Sequence, residues 1–313
     1  MFYDIENDYV KATISDLGAT LIKLIDKKSG KDIVLGFDDE KSYIDTKCYL
    51  GASVGRNANR IGNAKFNLDG KEYRLSVNDN SNQLHGGVNN FAFKVWSVKD
   101  KKQDSITFSL FSNDGEEGFP GNLNVEVSYE LDNNNLIWSY SGNCDEDTVF
   151  NMTNHSYFNL GDEDIFNHEL KIFSDKYSPT DECALTLEKC EDVANTPYDF
   201  REYTVLNNNL SKLKDGIDNN YVFETMNEKH MASLKYKDLM LDVFSDLPDM
   251  HLYTSGNLVT CNGKYGKTYK KFSAVCLECQ YYPNGINYNS YIKPILKKGE
   301  TESHFIRYQI TNK

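Results

Sequence analysis

Apolar and polar positions alternate along much of this chain with a period of two. In Asn124-Val125-Glu126-Val127-Ser128-Tyr129-Glu130-Leu131, the residues Val125, Val127, Tyr129 and Leu131 fall on one face. After Asp132-Asn133-Asn134-Asn135 the alternation resumes in Leu136-Ile137-Trp138-Ser139-Tyr140-Ser141. Two such runs joined by a polar turn predict antiparallel strands with one face in a core. Lys65–Leu68 and Lys71–Leu75 flank Asp69-Gly70, a pair that accepts the positive φ which a tight hairpin demands at both central positions. Further strands are predicted at Ile106–Phe111, Glu169–Phe173, Leu234–Tyr236, Leu239–Ser245, His251–Thr254 and Phe305–Thr311. Helical pattern is scarce, limited to a turn or two near Leu210–Leu213. Strand–helix alternation is missing, which argues against a nucleotide-binding α/β fold. No repeat or low-complexity linker divides the chain. The predicted architecture is all-β, a large antiparallel β-sandwich with long loops, as a single domain over residues 1–313.

Composition narrows the partners. Aromatic residues make up 13% of the chain, more than strand packing alone requires, so some of the tyrosines are candidates for lining a carbohydrate groove. The net charge of −13 repels phosphate backbones and argues against nucleic acid. No window approaches the 18 apolar residues of a membrane span, and the first residues lack the basic and apolar regions of a secretion signal. The seven scattered cysteines read as reduced thiols of a cytoplasmic protein, and Cys276-Leu277-Glu278-Cys279 is not followed by a redox-type helix.

Chemistry concentrates in three islands. The first is Asn154-His155-Ser156-Tyr157-Phe158-Asn159-Leu160, an imidazole set among amides, a hydroxyl and two rings. The second is Leu84-His85-Gly86-Gly87, where the glycines let backbone approach a ligand closely. The third is the carboxylate of Glu278. His168, His230 and His304 lie among charged and polar neighbours and are expected at the surface. Zinc and calcium ligand spacings are not matched, so no metal is expected. The loop Gly55–Gly62 lacks the Lys-Ser/Thr ending of a phosphate loop. Ser156 lacks the glycines of a nucleophile elbow. A glycosidase pairing of Glu278 with Glu116, Glu117 or Asp218 stays open, because sequence does not give the separation of the carboxylates.

Taken in order, seven stretches resemble the aldose 1-epimerase (mutarotase) family. They are Gly55-Arg56-x-x-Asn59-Arg60-Ile61, Asn82-Gln83-Leu84-His85-Gly86-Gly87, Gly115-Glu116-Glu117-Gly118-Phe119-Pro120-Gly121, the His155 stretch, Gly216-Ile217-Asp218-Asn219, Tyr253-Thr254-x-Gly256-Asn257, and Glu278-x-Gln280 before Pro283. The resemblance implies a β-supersandwich of the galactose mutarotase kind that exchanges the α and β anomers of a free aldohexose such as galactose or glucose, without a cofactor. It also implies that Glu278 is the general base and His155 the general acid. Asn59, Arg60, His85, Tyr157 and Asp218 would hold sugar hydroxyls. His251 joins these binding positions where the family often has Gln; Asn219 and Asn284 also depart from the usual pattern. Both carboxylate and imidazole are expected near their ordinary pKa values of about 4.3 and 6.5. The expected molecule is a monomer or homodimer. Two other readings compete: an epimerase of phosphorylated hexose using Arg56, Arg60 or Arg74, and a sugar-binding regulator without catalysis.

Overall fold

In a computed structural model, which describes residues 1–46 and 48–313, strands dominate and pair antiparallel throughout the main sheets. The largest sheet has nine strands, in the order Ser97–Lys101, Ser105–Ser112, Leu123–Asp132, Asn135–Cys144, Thr301–Asn312, Leu239–Ser245, Lys229–Tyr236, Glu169–Ile172 and Thr204–Val205. A six-stranded sheet runs Tyr157–Phe158, Val275–Gln280, Asp249–Tyr253, Asp218–Val222, Lys176–Ser178 and Glu191–Asp192. A third, of four strands, uses the first 32 residues. One hydrophobic core joins all three, with Val125, Trp138 and Tyr308 from the first sheet, Met250 and Leu277 from the second, and Ile14 and Leu24 from the third. The fold is therefore an all-β sandwich, as the alternation predicts.

The hairpin at Asp69-Gly70 forms with Leu68 paired to Lys71, and the two turn residues have φ of 50° and 80°. The turn therefore has the left-handed geometry that Asp-Gly permits. The helical turn lies at Leu206–Leu210, just before the predicted position, and a second short helix occupies Glu40–Thr46. Among the described residues no helix is long and apolar enough to cross a membrane.

The six-stranded sheet positions the chemistry. Along Val275–Gln280 every residue is buried, with Val275, Leu277 and Cys279 in the core. Successive side chains point to opposite faces of a strand, so Cys276, Glu278 and Gln280 project to the other side. Register sets Glu278 opposite His251, and His251 opposite Asn220. Tyr253 is opposite both Cys276 and Asp218, and Cys276 is also opposite Tyr157. A polar face thus lies directly behind an apolar one on the same strands.

Candidate active site

His155 lies between the short strands Thr153–Asn154 and Tyr157–Phe158. Its backbone is held on both sides: its N–H donates to the Ala52 carbonyl at 2.9 Å, and its own carbonyl accepts from Gly51 N–H at 2.9 Å. The ring is sandwiched between Tyr157, at 5.1 Å and 12°, and Tyr49, at 6.0 Å and 14°. That stacking leaves the edge of the imidazole as its polar opening. His155 Nε2 stands 3.6 Å from Glu278 Oε1, beyond an ordinary hydrogen bond. His155 Nδ1, Glu278 Oε2, His251 Nδ1 and both amide atoms of Asn220 and Gln280 are buried without a hydrogen-bond partner among the described residues. Buried polar atoms are normally paired, so this face is built to receive polar groups from elsewhere.

His85 completes a cluster with the pair; its ring centre is 5.1 Å from that of His155. The Asn59 N–H donates to His85 Nδ1 at 3.1 Å, and burial pushes the His85 pKa well below its usual value. The ring is therefore neutral, with its hydrogen on Nε2 facing the site. Ligand atoms of His85, His155 and Glu278 lie within 4.8 Å of one another, close enough to suggest a metal site. The tautomer opposes it: a metal would need the lone pair on His85 Nε2, and that nitrogen carries the hydrogen.

Asp218 accepts from His251 Nε2 at 2.6 Å. Burial alone would raise the Asp218 pKa, but the His251 hydrogen bond and the nearby Arg60 charge outweigh it, and Asp218 ends below the usual carboxylate value. Arg60 is anchored by Asp79 at 2.7 Å. The expectation of ordinary values for the central pair is overturned. Burial drives Glu278 well above the usual carboxylate value, with the Asp218 charge adding to it, and burial drives His155 down to about 4. Both shifts favour a neutral pair, with the carboxyl protonated and the imidazole bare.

All eight residues singled out as His155, Glu278, Asn59, Arg60, His85, Tyr157, Asp218 and His251 belong to this one region. Two make contacts other than those anticipated. The Tyr157 hydroxyl donates to the Cys48 carbonyl at 3.1 Å, so Tyr157 presents a ring face rather than a hydroxyl. Asn59 Oδ1 accepts from the Arg60 N–H at 2.8 Å. Tyr49 escaped notice, since no motif surrounds it, and only the fold brings it against His155. The other acidic candidates are engaged elsewhere: Glu116 with Lys94 and Ser112, and Glu117 with Ser76 and the Val88 and Asn89 N–H groups. Asn219, on the opposite side of its strand from Asp218, donates to the Ser178 carbonyl. Asn284 caps the Gly62 N–H at 3.0 Å. His168 and His304 are buried rather than on the surface, and His230 is half-buried.

A β-sandwich that gathers an imidazole, a carboxyl and several further polar side chains on a buried face has the groups that acid–base chemistry needs. Comparison with known proteins identifies its kind. The family model described as aldose 1-epimerase matches residues 1–309, and the chain belongs to that family. It is 37% identical to a galactose mutarotase from Sus scrofa, over 96% of this chain and 91% of that protein. It is 33% identical to an aldose 1-epimerase from Escherichia coli (strain K12), over 95% and 91% respectively. Among solved structures, an aldose epimerase homologue from C. elegans superposes with a TM-score of 0.94 at 29% identity, covering 100% of this chain and 99% of that one. A galactose 1-epimerase from Lactobacillus acidophilus gives 0.88 at 27% identity, over 99% and 93%.

Proposed function

We propose that this chain is an aldose 1-epimerase that interconverts the α and β anomers of free aldohexoses such as galactose or glucose. Glu278 removes the proton from the anomeric O1 hydroxyl while His155 Nε2 gives a proton to the ring oxygen. The C1–O5 bond breaks and an aldehyde forms at C1. After rotation about C1–C2, the O5 hydroxyl attacks the other face of the carbonyl, returns its proton to His155, and O1 recovers its proton from Glu278. Protons balance over the cycle, and no cofactor is consumed.

The observation that carries this reading is the 3.6 Å gap between His155 Nε2 and Glu278 Oε1, with their other polar atoms unpartnered. The neutral pair and the reactive ion pair differ only by transfer of one proton from Glu278 to His155. Sugar hydroxyls donating to the carboxylate would stabilise that transfer, since hydrogen bonds to the charged form lower a carboxyl pKa. His85 Nε2–H, Arg60, Asp218 and His251 are the hydroxyl-binding groups in this reading. Asn59 fixes the tautomer of His85, and Tyr157 supports the His155 ring.

The phosphohexose alternative has little support. Arg56 is buried and spends its guanidinium on Ser112, Asn113, Pro120 and Thr148, while the Arg74 side chain is 81% exposed and paired with Glu72. A cytoplasmic location belongs to the same proposal, supported by seven unbridged cysteines. Polarimetry on freshly dissolved α-galactose and α-glucose tests the function. Faster approach to the equilibrium rotation than in buffer is expected, and buffer-rate kinetics with both sugars would refute the assignment.

A further inference from the structure

The sheet face that carries Glu278 also carries a second buried carboxyl. Asp249 opens the strand Asp249–Tyr253, two residues before His251 and therefore on the same face. In register it stands opposite Gln280 on one side and Val222 on the other. Gln280 lies two residues beyond Glu278 and shares its face. Glu278 and His251 form one rung of this patch, and Gln280 and Asp249 form the next. Asp249 is only 2% exposed, so solvent does not satisfy it, and Gln280 is fully buried.

The Gln280 amide has nothing of its own to fix which way it faces. Neither its oxygen nor its nitrogen has a hydrogen-bond partner among the described residues, and Glu278 Oε2 has none either. Asp249, directly opposite, is the group placed to orient it. Asp249 Oδ1 accepts from the Phe223 N–H at 3.2 Å. The charged and titratable groups around it are committed elsewhere. Lys229 spends its ammonium on the Thr225, Asn227 and Leu247 carbonyls. His251 Nε2 is bound to Asp218, and the Tyr282 hydroxyl donates to the Leu187 carbonyl at 2.6 Å, with Tyr291 stacked on its ring. Glu224 contributes a like charge from the loop after Asp218–Val222. Burial carries the Asp249 pKa up to about 7, against the pull of the Phe223 N–H, the Asn220 amide and the Lys229 charge. Both of its forms are therefore populated near neutral pH.

The two forms ask opposite things of an amide. A carboxylate only accepts, whereas a carboxylic acid also donates. With Asp249 ionised, the Gln280 NH2 turns to it and the amide oxygen is left toward Glu278, where it opposes charge on that carboxyl. With Asp249 protonated, its O–H donates to the amide oxygen, and the NH2 is free for Glu278 Oε2. A donor there favours the carboxylate, the form that takes the proton from O1. We propose that Asp249 is a positioning residue that acts through the Gln280 amide, setting whether Glu278 is offered a hydrogen-bond donor or a carbonyl oxygen. The inference rests on the reading of Glu278 as the base of anomer exchange.

The experiment measures kcat/KM for galactose by NMR from about pH 5.5 to 8.5 in the wild type, Asp249→Asn and Gln280→Leu. The wild type should step down by about two- to tenfold, the worth of one hydrogen bond, centred near pH 7. Asp249→Asn keeps an acceptor for the Phe223 N–H and should erase the step. Gln280→Leu should erase it too, although infrared spectra of that variant should still show a buried carboxyl losing its proton near pH 7, a signal missing from Asp249→Asn. A merely structural role for Asp249 would change activity alike at every pH. Should Asp249→Asn fail to fold, the Gln280→Leu profile and the wild-type infrared titration still decide. A flat wild-type profile, or a step that survives either substitution, overturns the inference and leaves the proposed function standing. Failure to exchange anomers at any pH would instead remove the proposed function, and this inference with it.

Discussion

His155 and His304 are both buried imidazoles beside a glutamate, yet their surroundings drive their protons in opposite directions. His304 Nδ1 is 2.9 Å from Asp246 and Nε2 is 2.7 Å from Glu302, so both nitrogens meet carboxylates. Burial pulls its pKa down, but the two acidic partners overcome that and lift it to about 9. His155 has a carboxyl 3.6 Å away and none in hydrogen-bond contact, and burial takes it down to about 4. The difference teaches what separates a structural cation from an imidazole suited to the acid–base role proposed for His155. Where carboxylates complete the hydrogen bonds, the proton is locked in place. Where the partner stands one gap away, the proton can be lent to whatever fills the gap.

The largest expected effects break the second half of that comparison. Glu278→Gln and His155→Asn should each lower kcat for anomer exchange by about 10²–10⁴, read by polarimetry, with little change in unfolding temperature. Full turnover by either would remove its assigned role. Next in size is the loss of the structural cation. His304→Leu leaves Asp246 and Glu302 facing each other, and removal of one member of a buried charge network costs about 3–5 kcal/mol. The lower end is expected, since those carboxylates keep 20% and 22% of their side-chain exposure. Urea unfolding measures this, and the folded variant should retain kcat.

Smaller effects sharpen the comparison through pH. A histidine whose pKa is raised on folding stabilises fully below its unfolded value of about 6.5 and loses that contribution as pH rises through about 9. Wild-type stability should therefore fall between pH 6 and 9.5 by up to roughly 3 kcal/mol more than that of His304→Leu. For catalysis, the pair must hold one proton. kcat/KM should fall on the acid side near pH 4, where His155 takes a second proton, and on the alkaline side where Glu278 loses the only one. Burial raises the Glu278 pKa and the like charge of Asp218 adds to it, so Asp218→Asn should move the alkaline limb to lower pH. An unmoved limb would mean that Asp218 does not act on the carboxyl.

Much of this was legible in the residues. The alternation at Asn124–Leu131 and the turn at Asp69-Gly70 are local signals, and both elements form where the pattern puts them. Val275–Gln280, Val10–Ser15 and Thr20–Asp26 carry no such signal because they are buried on both faces or nearly so, which erases alternation. His304 looked like a surface residue because its neighbours are charged, yet those charges are what allow it to be buried. The site residues were marked by their motifs, but their meeting was not readable, since His155 and Glu278 come together through long-range packing such as the pairing of Tyr157 with Cys276. The perturbed ionisation of the pair was invisible for the same reason, because burial is a property of the assembled sheet.

A double-variant cycle on kcat tests most directly whether His155 and Glu278 act as one unit that shares a single proton. Groups that work as a unit are strongly non-additive. The Glu278→Gln, His155→Asn double variant should lose about as much activity as the worse single variant, to within about tenfold. Losses that multiply, each substitution costing as much in the presence of the other as alone, would show two independent groups and contradict the shared-proton mechanism.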